Sequence, residues 1–279
     1  MSQLAVVTGA SSGIGAALTK HFAHRGITVV ACARRLALLE AVRDACPPGS
    51  VVVCEADVRT PDGRAAIAGA AEGAPGALRY LVHNAGILGP TAPAEAIAPE
   101  DWGVVVSTNV DAPLFLTQAL LPQLRKSGPG ARILHIGSGA AKSPVVGWTA
   151  YCVTKAAFAM LHSCMQEELK AGPVPVLVGS VRPGIIDTPM QEEVRGSSPT
   201  AFPALDTFVG FKTLADERAA AAAAPTAPGP HTPPTDALDT PENVAYFLHW
   251  LLTVASDEFF VKEEHDIRDD SHHGEWLVE

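Results

Sequence analysis

The stretch LAVVTGASSGIGAAL, residues 4–18, decides the fold of this chain. A short apolar run, typical of a buried β-strand, leads through a glycine-rich turn into a segment with helical periodicity. At Gly9, Gly13 and Gly15 the missing Cβ atoms permit a tight turn, close approach of a pyrophosphate and close packing of helix on strand. The apolar run at 27–32 completes a β-α-β unit. Alone, such a turn also fits an ordinary connection between a strand and a helix.

Strands and helices continue to alternate along the chain, which predicts an α/β fold. We expect strands at 3–8, 27–32, 50–55, 78–83, 131–137, 174–181 and 259–263. We expect helices at 13–25, 35–45, 61–73, 100–126 and 150–171. This order predicts one Rossmann-fold domain over residues 1–279, with a doubly wound, mostly parallel sheet of seven strands and helices on both faces.

The alternation breaks down between residues 190 and 240. The alanine run at 219–224 favours a short helix, and the prolines between Pro225 and Pro234 end it in a mobile loop. This insertion fits either a lid over the substrate or a tolerated surface loop.

The composition excludes several classes of partner. The net charge of −10 provides no general attraction for nucleic acid or for an anionic membrane. No apolar run approaches the roughly 20 residues that span a bilayer, and the first strand leaves no room for a signal peptide. We therefore expect a soluble, cytoplasmic protein whose partner is a small molecule.

Cysteine and histidine spacing predicts neither disulfides nor a metal site. No CxxC pair occurs among the five cysteines, and the ten histidines are scattered. The cysteines, which we expect to be reduced and mostly buried, are Cys32, Cys46, Cys54, Cys152 and Cys164.

The segment YCVTK at 151–155 indicates a proton-transfer site. On a helix Tyr151 and Lys155 lie one turn apart and share a face. An adjacent ammonium favours the phenolate, which lowers the pKa of the tyrosine toward the range where proton transfer is most effective. Ser138 precedes the pair by thirteen residues.

Together these motifs resemble the short-chain dehydrogenase/reductase family, and the likeness runs from residue 4 to about residue 190. The chain has, in that family's order, TGASSGIG at 8–15, DV at 57–58, NAG at 84–86, Asn109, Ser138, Tyr151 with Lys155, and RPG at 182–184 with Thr188. The resemblance implies a catalytic tetrad made of Asn109, Ser138, Tyr151 and Lys155.

The same resemblance implies a nicotinamide dinucleotide site. Asp57 and Val58 would flank the adenine, and Ile186 with Thr188 would hold the carboxamide. The full predicted set is Gly9, Ser11, Ser12, Gly13, Ile14, Gly15, Arg34, Arg35, Asp57, Val58, Asn84, Ala85, Gly86, Tyr151, Lys155, Pro183, Gly184, Ile186 and Thr188.

Taken singly, these residues also have structural interpretations. Asp57 would fit a solvated carboxylate at a strand end, and Thr188 would fit a helix N-cap ahead of a proline. Ser138 could be a loop hydroxyl, and Asn109 could be a polar residue that kinks its helix.

The end of the second predicted strand bears on cofactor choice. Ala33 stands where NAD-selective members of the family carry Asp, and Arg34 suits a 2′-phosphate. We therefore expect NADPH, although Ser12 occupies a position where many NADP-preferring members carry a basic residue. Arg34 and Arg35 could also be solvated residues at a helix start.

By resemblance we expect a carbonyl reductase that acts on a small ketone, diketone or aldehyde, with Tyr151 as the proton donor. An alcohol dehydrogenase working mainly in oxidation and a non-catalytic NADP(H)-binding sensor are the alternatives.

Two further features of the sequence concern the C-terminal region and the oligomeric state. Residues 257–269 are similar to the ending of sepiapterin and benzil reductases, whose two spaced acids match Asp266 and Asp269; a solvated acidic tail is the alternative. The helices near 104–124 and 152–169 correspond to those through which this family forms homodimers and homotetramers. Residues 158–161 could equally lie inside the subunit.

Overall fold

A seven-stranded sheet forms the centre of the computed structural model, which describes residues 2–221, 238–262 and 264–277. Its strands are β1 Gln3–Thr8, β2 Thr28–Ala33, β3 Val51–Glu55, β4 Ala77–His83, β5 Ala131–Ile136, β6 Val176–Arg182 and β7 Glu264–Asp266. They lie in the order β3-β2-β1-β4-β5-β6-β7, and all neighbouring pairs are parallel. The predicted fold class is confirmed. The strand order reverses between β1 and β4, which is where such a sheet opens a crevice at its carboxyl edge.

The helices cover both faces of the sheet. They are α1 Gly13–His24, α2 Leu36–Asp44, α3 Pro61–Gly73, α4 Pro99–Val106, α5 Ala112–Lys126, α6 Thr149–Lys170, α7 Pro189–Arg195, α8 Leu205–Ala221, α9 Pro241–Thr253, α10 Asp257–Phe260 and α11 His273–Trp276. A π-helical turn, Ser107–Asp111, joins α4 to α5.

Alternate residues along each strand supply two apolar layers, because successive side chains of a strand point to opposite faces. Ala5 and Val7 of β1 pack into one layer with α1, α2 and α9. Leu4 and Val6 pack into the other layer with α3, α5 and α6. Burial on both faces explains why the strands read as continuous apolar runs.

The last strand lies later in the chain than predicted. Residues 259–263 were expected to form it, but Phe259 and Phe260 belong to the short helix α10 and β7 begins at Glu264. The hydroxyl of Ser256 accepts a hydrogen bond from the backbone N–H of Phe259 at 3.1 Å and starts the helix. The two aromatic residues mimicked the apolar run of a strand.

The segment from 190 to 240 is more regular than predicted in the part that the structure describes. Two helices, α7 and α8, occupy much of it, and α8 begins at Leu205 instead of the expected 219. The predicted mobile loop, which contains the prolines from Pro225 to Pro234, lies outside the described residues. Helix α9 was missed although Thr240 and Pro241 form a standard start, with the hydroxyl of Thr240 accepting from the N–H of Asn243 at 3.2 Å.

The helical stretch Pro99–Lys126 matches the predicted helix at 100–126, but it is more apolar than the sequence analysis recognised. It has 28 residues and a mean hydropathy of 1.3 in its most apolar window, so it could cross a membrane by length and composition alone. Leu116, Leu120 and Leu124 of this stretch are fully buried against the sheet. Core helices of soluble proteins meet the same criterion, so the feature is weak evidence for a membrane span.

The surfaces of α5 and α6 carry exposed apolar side chains. Phe115, Val153 and Met160 are 42, 46 and 66 % exposed. Oligomer formation through these helices stays a prediction.

A buried arginine joins the middle of the sheet to the end of α9. The guanidinium of Arg132, on β5, donates to the carbonyl oxygens of Leu251, Leu252 and Ala255 and to the carboxylate of Asp257, at 2.7 to 3.2 Å. These carbonyls are unsatisfied within a helix that ends there, so the guanidinium acts as its C-terminal cap.

We predict that Arg132→Met lowers the free energy of unfolding by about 2–4 kcal/mol, because three buried carbonyls lose their donor. Asp257→Asn is the matched control, since the Asp257 side chain is 64 % exposed and its ion pair contributes about 0–1 kcal/mol. Urea denaturation followed by circular dichroism measures both variants. Equal losses would show that the charge pair, and not the carbonyl cap, stabilises this junction.

Candidate active site

The carboxyl ends of the strands surround one large cleft of about 650 Å³. Nearly all of the predicted site residues line it. The exceptions are Gly15 and Asn109, which do not line the cleft but contact the lining residues Asn84 and Ile87. The cleft brings together residues that are up to 259 positions apart in sequence, from Gly9 to Arg268.

The glycine-rich turn forms the floor of the cleft through close contacts that leave no room for side chains. Gly13 has a φ of +52°, and a Cβ there would lie 2.9 Å from the methyl carbon of Thr188. At Gly15 a Cβ would lie 2.5 Å from both the amide nitrogen of Asn84 and the carbonyl oxygen of Gly9. The turn is therefore fitted to Asn84, which directly follows β4, and to Thr188, the N-cap of α7, and it leaves the cradle that a pyrophosphate requires.

Asn84 and Thr8 fix the turn to the neighbouring strand. The Asn84 amide donates to the carbonyl oxygen of Thr8 at 2.8 Å, and the Thr8 hydroxyl donates to the carbonyl of Val82 at 3.1 Å. The same hydroxyl accepts from the N–H groups of Asn84 and Ala85. These hydrogen bonds hold the two strand ends together.

Tyr151 and Lys155 are buried on one face of α6, as predicted. Each is 8 % exposed, and both line the cleft. The ammonium of Lys155 donates to the carbonyl oxygen of Ile136, at the end of β5, at 2.8 Å and lies 5.7 Å from the centre of the Tyr151 ring. Burial lowers the pKa of Lys155 to about 8.

The expectation of a lowered pKa for Tyr151 is wrong for this structure. Burial raises the pKa of the phenol, while a hydrogen bond with the Ser138 hydroxyl lowers it by less. The ammonium of Lys155 is directed to a backbone carbonyl rather than to the phenol oxygen. Tyr151 is consequently held as the neutral phenol, the form that donates a proton.

Asn109 acts on the cleft from behind. Its side-chain oxygen accepts from the N–H of Ile87 and its amide donates to the carbonyl of the same residue, both at 2.9 Å, with a third bond to the hydroxyl of Thr154 at 3.0 Å. It lies in the π-helical turn, where the regular hydrogen-bond pattern is interrupted. This position agrees with the interpretation of Asn109 as a polar residue that disturbs its helix. Its assignment to the catalytic tetrad stays a prediction.

Three arginines gather at the end of the cleft formed by β2 and β3. The guanidinium of Arg35 reaches back across the glycine turn and donates to the hydroxyls of Ser11 at 2.9 Å and Ser12 at 2.8 Å. Many NADP-preferring members of the family carry a basic residue where this chain has Ser12. Arg35 places its guanidinium beside Ser12 and so supplies a positive charge at the same position. Arg34 also lines the cleft. This end therefore fits an adenosine that carries a phosphate.

Arg59 was not predicted. Its Nε donates to both carboxylate oxygens of Asp57, at 3.0 and 2.9 Å, and its backbone N–H donates to the same carboxylate at 3.0 Å. These bonds lower the pKa of Asp57. The sequence did contain a signal for this contact: Arg59 follows Asp57 by two residues, and an arginine at that distance can fold back onto the carboxylate of a turn.

Aromatic side chains build the wall beside Tyr151. The indole of Trp148 stacks on Phe202 with ring centres 5.1 Å apart and contacts the edge of Phe208 at 5.4 Å and of Tyr151 at 5.8 Å. Trp148 and Phe208 line the cleft with Met190 of α7. Sequence reasoning missed this wall because its members come from separate segments and share no motif.

The two C-terminal acids are engaged locally. Asp266 pairs with Arg182 at 3.4 Å and with Arg268 at 3.1 Å. Asp269 caps a 3₁₀ turn by accepting from the N–H of Ser271 at 3.0 Å. Both acids therefore have structural partners, and Asp266, with a side chain that is 19 % exposed, does not fit the alternative of a solvated acidic tail.

Comparison with known proteins agrees with the geometry. The family model for short chain dehydrogenases matches residues 3–198. A benzil reductase ((S)-benzoin forming) of Bacillus cereus is 29 % identical over 212 residues, which cover 74 % of this chain and 85 % of the relative. An NADP-dependent 3-hydroxy acid dehydrogenase of Salmonella typhi is 31 % identical over 186 residues, 66 % of this chain and 72 % of the relative.

The structure of L-sorbose reductase from Gluconobacter frateurii, complexed with NADPH and L-sorbose, superposes with a TM-score of 0.77 at 27 % identity. The alignment covers 95 % of this chain and 94 % of that protein. The fold, the residues of the cleft and the match to the family model thus agree. The chain is an oxidoreductase of the short-chain dehydrogenase/reductase family and has a nicotinamide cofactor site.

Proposed function

We propose that the protein is an NADPH-dependent carbonyl reductase acting on a small ketone, diketone or aldehyde. The observation that carries the proposal is the arrangement of half-buried Ser138 with buried Tyr151 and Lys155 on one wall of the cleft. A proton donor in such a position serves a reaction in which negative charge develops on an oxygen.

The bound cofactor would supply a hydride to the carbonyl carbon. Ser138 would donate a hydrogen bond to the carbonyl oxygen, and Tyr151 would transfer its phenolic proton to that oxygen as the alkoxide develops. The ammonium of Lys155 stabilises the phenolate that remains, since the charge lies 5.7 Å from the ring centre. Asn109 keeps the backbone at Ile87 in place below the cleft.

The raised pKa of Tyr151 favours the reductive direction. A phenol that holds its proton at neutral pH is ready to act as an acid, whereas alcohol oxidation needs the phenolate as the base. Lys155 carries its charge below its pKa of about 8, so the active protonation state of the pair is populated near neutral pH.

We predict that Tyr151→Phe lowers kcat for carbonyl reduction by about 10²–10⁴-fold, because the proton donor is lost. The KM for NADPH should change little, since the ring and its packing against Trp148 are retained. The rate of NADPH absorbance loss with a diketone measures both. Activity within about threefold of the parent protein would disprove the role of the phenol.

The choice of NADPH rests on the charge around the end of β2. Arg34 and Arg35 both line the cleft there, and Arg35 is held in place by Ser11 and Ser12. An arginine forms paired hydrogen bonds to a phosphate and none of comparable strength to a ribose hydroxyl. The names of the relatives, two of which mention NADP or NADPH, support the same choice.

We predict that Arg35→Ala lowers kcat/KM for NADPH by about 10–100-fold and changes kcat/KM for NADH by less than about threefold, because only the 2′-phosphate loses a partner. Arg43→Ala is the control, since Arg43 forms ion pairs on the surface of α2, outside the cleft. An equal loss with both cofactors would contradict a role in phosphate recognition.

The aromatic wall narrows the substrate class within this proposal. Beside Tyr151 the cleft is lined by Trp148 and Phe208, while Leu88, Val145 and Val194 complete an apolar surface. The nearby charged group Glu193 is an acid, whose pKa burial raises. The apolar wall and the nearby acid favour a neutral carbonyl compound with a flat, apolar substituent over a substrate that bears a carboxylate. Helices α7 and α8 supply part of this wall. We propose that the described part of the predicted insertion, residues 190–221, serves as the substrate lid.

We predict that Phe208→Ala raises the KM for 1-phenylpropane-1,2-dione by about tenfold, the equivalent of about 1.4 kcal/mol of lost ring contact, and leaves that for butane-2,3-dione nearly unchanged. Val209→Ala is the control on the same helix, because Val209 is 43 % exposed and does not line the cleft. Equal effects on the two diketones would show that the ring does not contact the substrate.

A further inference from the structure

Glu264, the first residue of β7, is a largely buried acid at the edge of the sheet, with a side chain that is 12 % exposed. Neither the sequence motifs nor the mechanism above give it a role. A carboxylate in this position is costly to desolvate unless several groups compensate its charge.

Its contacts come from three different segments. The carboxylate pairs with the ammonium of Lys142 at 3.0 Å and with the guanidinium of Arg182, at the end of β6, at 3.3 Å. The hydroxyl of Ser180 donates to it at 3.5 Å. It also lies against the Cα of Gly137, where a Cβ would collide with the carboxylate oxygen.

These segments are the ones that carry the proposed catalytic groups. Gly137 stands between Ile136, whose carbonyl accepts from Lys155, and Ser138. Ser138 begins the 3₁₀ turn Gly139–Ala141 as its N-cap, and Lys142 follows that turn. Because the Lys142 side chain is 58 % exposed, its ion pair with Glu264 adds little to the stability of this turn. The buried contact between Glu264 and Gly137 is the main link from β7 to the turn that presents the Ser138 hydroxyl.

Glu264 lies close to α6 through Gly137, which follows Ile136, the residue whose carbonyl accepts from the ammonium of Lys155. The titratable groups around it are Lys142, Arg182, and Lys155 and His162 of α6, and its own strand also carries His265 and Asp266. Burial lowers the pKa of Lys155 to about 8, and the negative charge of Glu264 raises it. Removing this charge would let Lys155 lose its proton at a lower pH.

We propose that Glu264 is a positioning residue of the active site, which holds the turn of Ser138 and supplies the negative charge that balances the Lys155 ammonium. The part that concerns catalysis rests on the proposed function. The electrostatic part concerns the protein alone and can be measured without turnover.

The test is competitive acetylation of Lys155 with acetic anhydride across pH, quantified by peptide mass spectrometry, in the parent protein and in Glu264→Gln. We expect the titration midpoint of Lys155 to fall by about half a pH unit or more in the variant. Glu264→Asp, which keeps the charge, should restore most of the difference. Lys142→Met, which removes a cation from the same carboxylate, should leave the midpoint unchanged or raise it.

The pH profile of carbonyl reduction provides the second measurement. In Glu264→Gln its alkaline limb should move to lower pH in parallel with the midpoint of Lys155, a change that simple loss of packing would not cause. Identical Lys155 midpoints in the parent protein and in folded Glu264→Gln would overturn the inference. If no carbonyl compound is reduced at all, the proposed function fails while the acetylation result still decides the role of Glu264.

Discussion

The fit of the glycine-rich turn against Asn84, which follows β4, and Thr188, the N-cap of α7, is the constraint on which the rest of the site depends. Gly15 leaves room for the amide of Asn84, and Gly13 leaves room for Thr188. A methyl group at Gly15 would separate the ends of β1 and β4, which must meet where the strand order reverses, and one at Gly13 would displace Thr188 from the turn. Because the cleft lies at this reversal, the same contacts that close the sheet also create the floor on which a dinucleotide can lie.

Burial determines the chemistry at the opposite wall. Tyr151 and Lys155 are removed from water by α6 and the end of β5, and the two groups respond in opposite directions. The phenol holds its proton more tightly and the ammonium releases its proton more easily. Such a pair donates a proton near neutral pH and keeps a cation beside the phenolate that results. We propose that Glu264 on β7 balances the charge of Lys155. Residue 264 lies more than sixty residues after the end of the region that the family model matches, residues 3–198.

Much of the fold and of the cofactor site could be predicted from the sequence, because both depend on local patterns. The apolar runs of β1, β2 and β5 are buried on both faces, and the glycine spacing is fixed by contacts near the turn. The rest depends on contacts between distant segments. The apolar pair Phe259 and Phe260 resembled a strand because the cap provided by Ser256 was overlooked. Neither the return of Arg35 to Ser12 nor the stacking of Trp148 on Phe202 has a signal in the local sequence.

Transfer of the cofactor's own hydrogen to the substrate is the event that all these features serve. The most direct measurement uses NADPH deuterated at the transferable position, with 1-phenylpropane-1,2-dione as the substrate and mass spectrometry of the product. The structure predicts a hydroxyketone that carries one deuterium on the new carbinol carbon, with no incorporation when the protein is omitted. A hydroxyketone without deuterium, or oxidation of NADPH without any alcohol product, would contradict direct reduction of a carbonyl in this cleft.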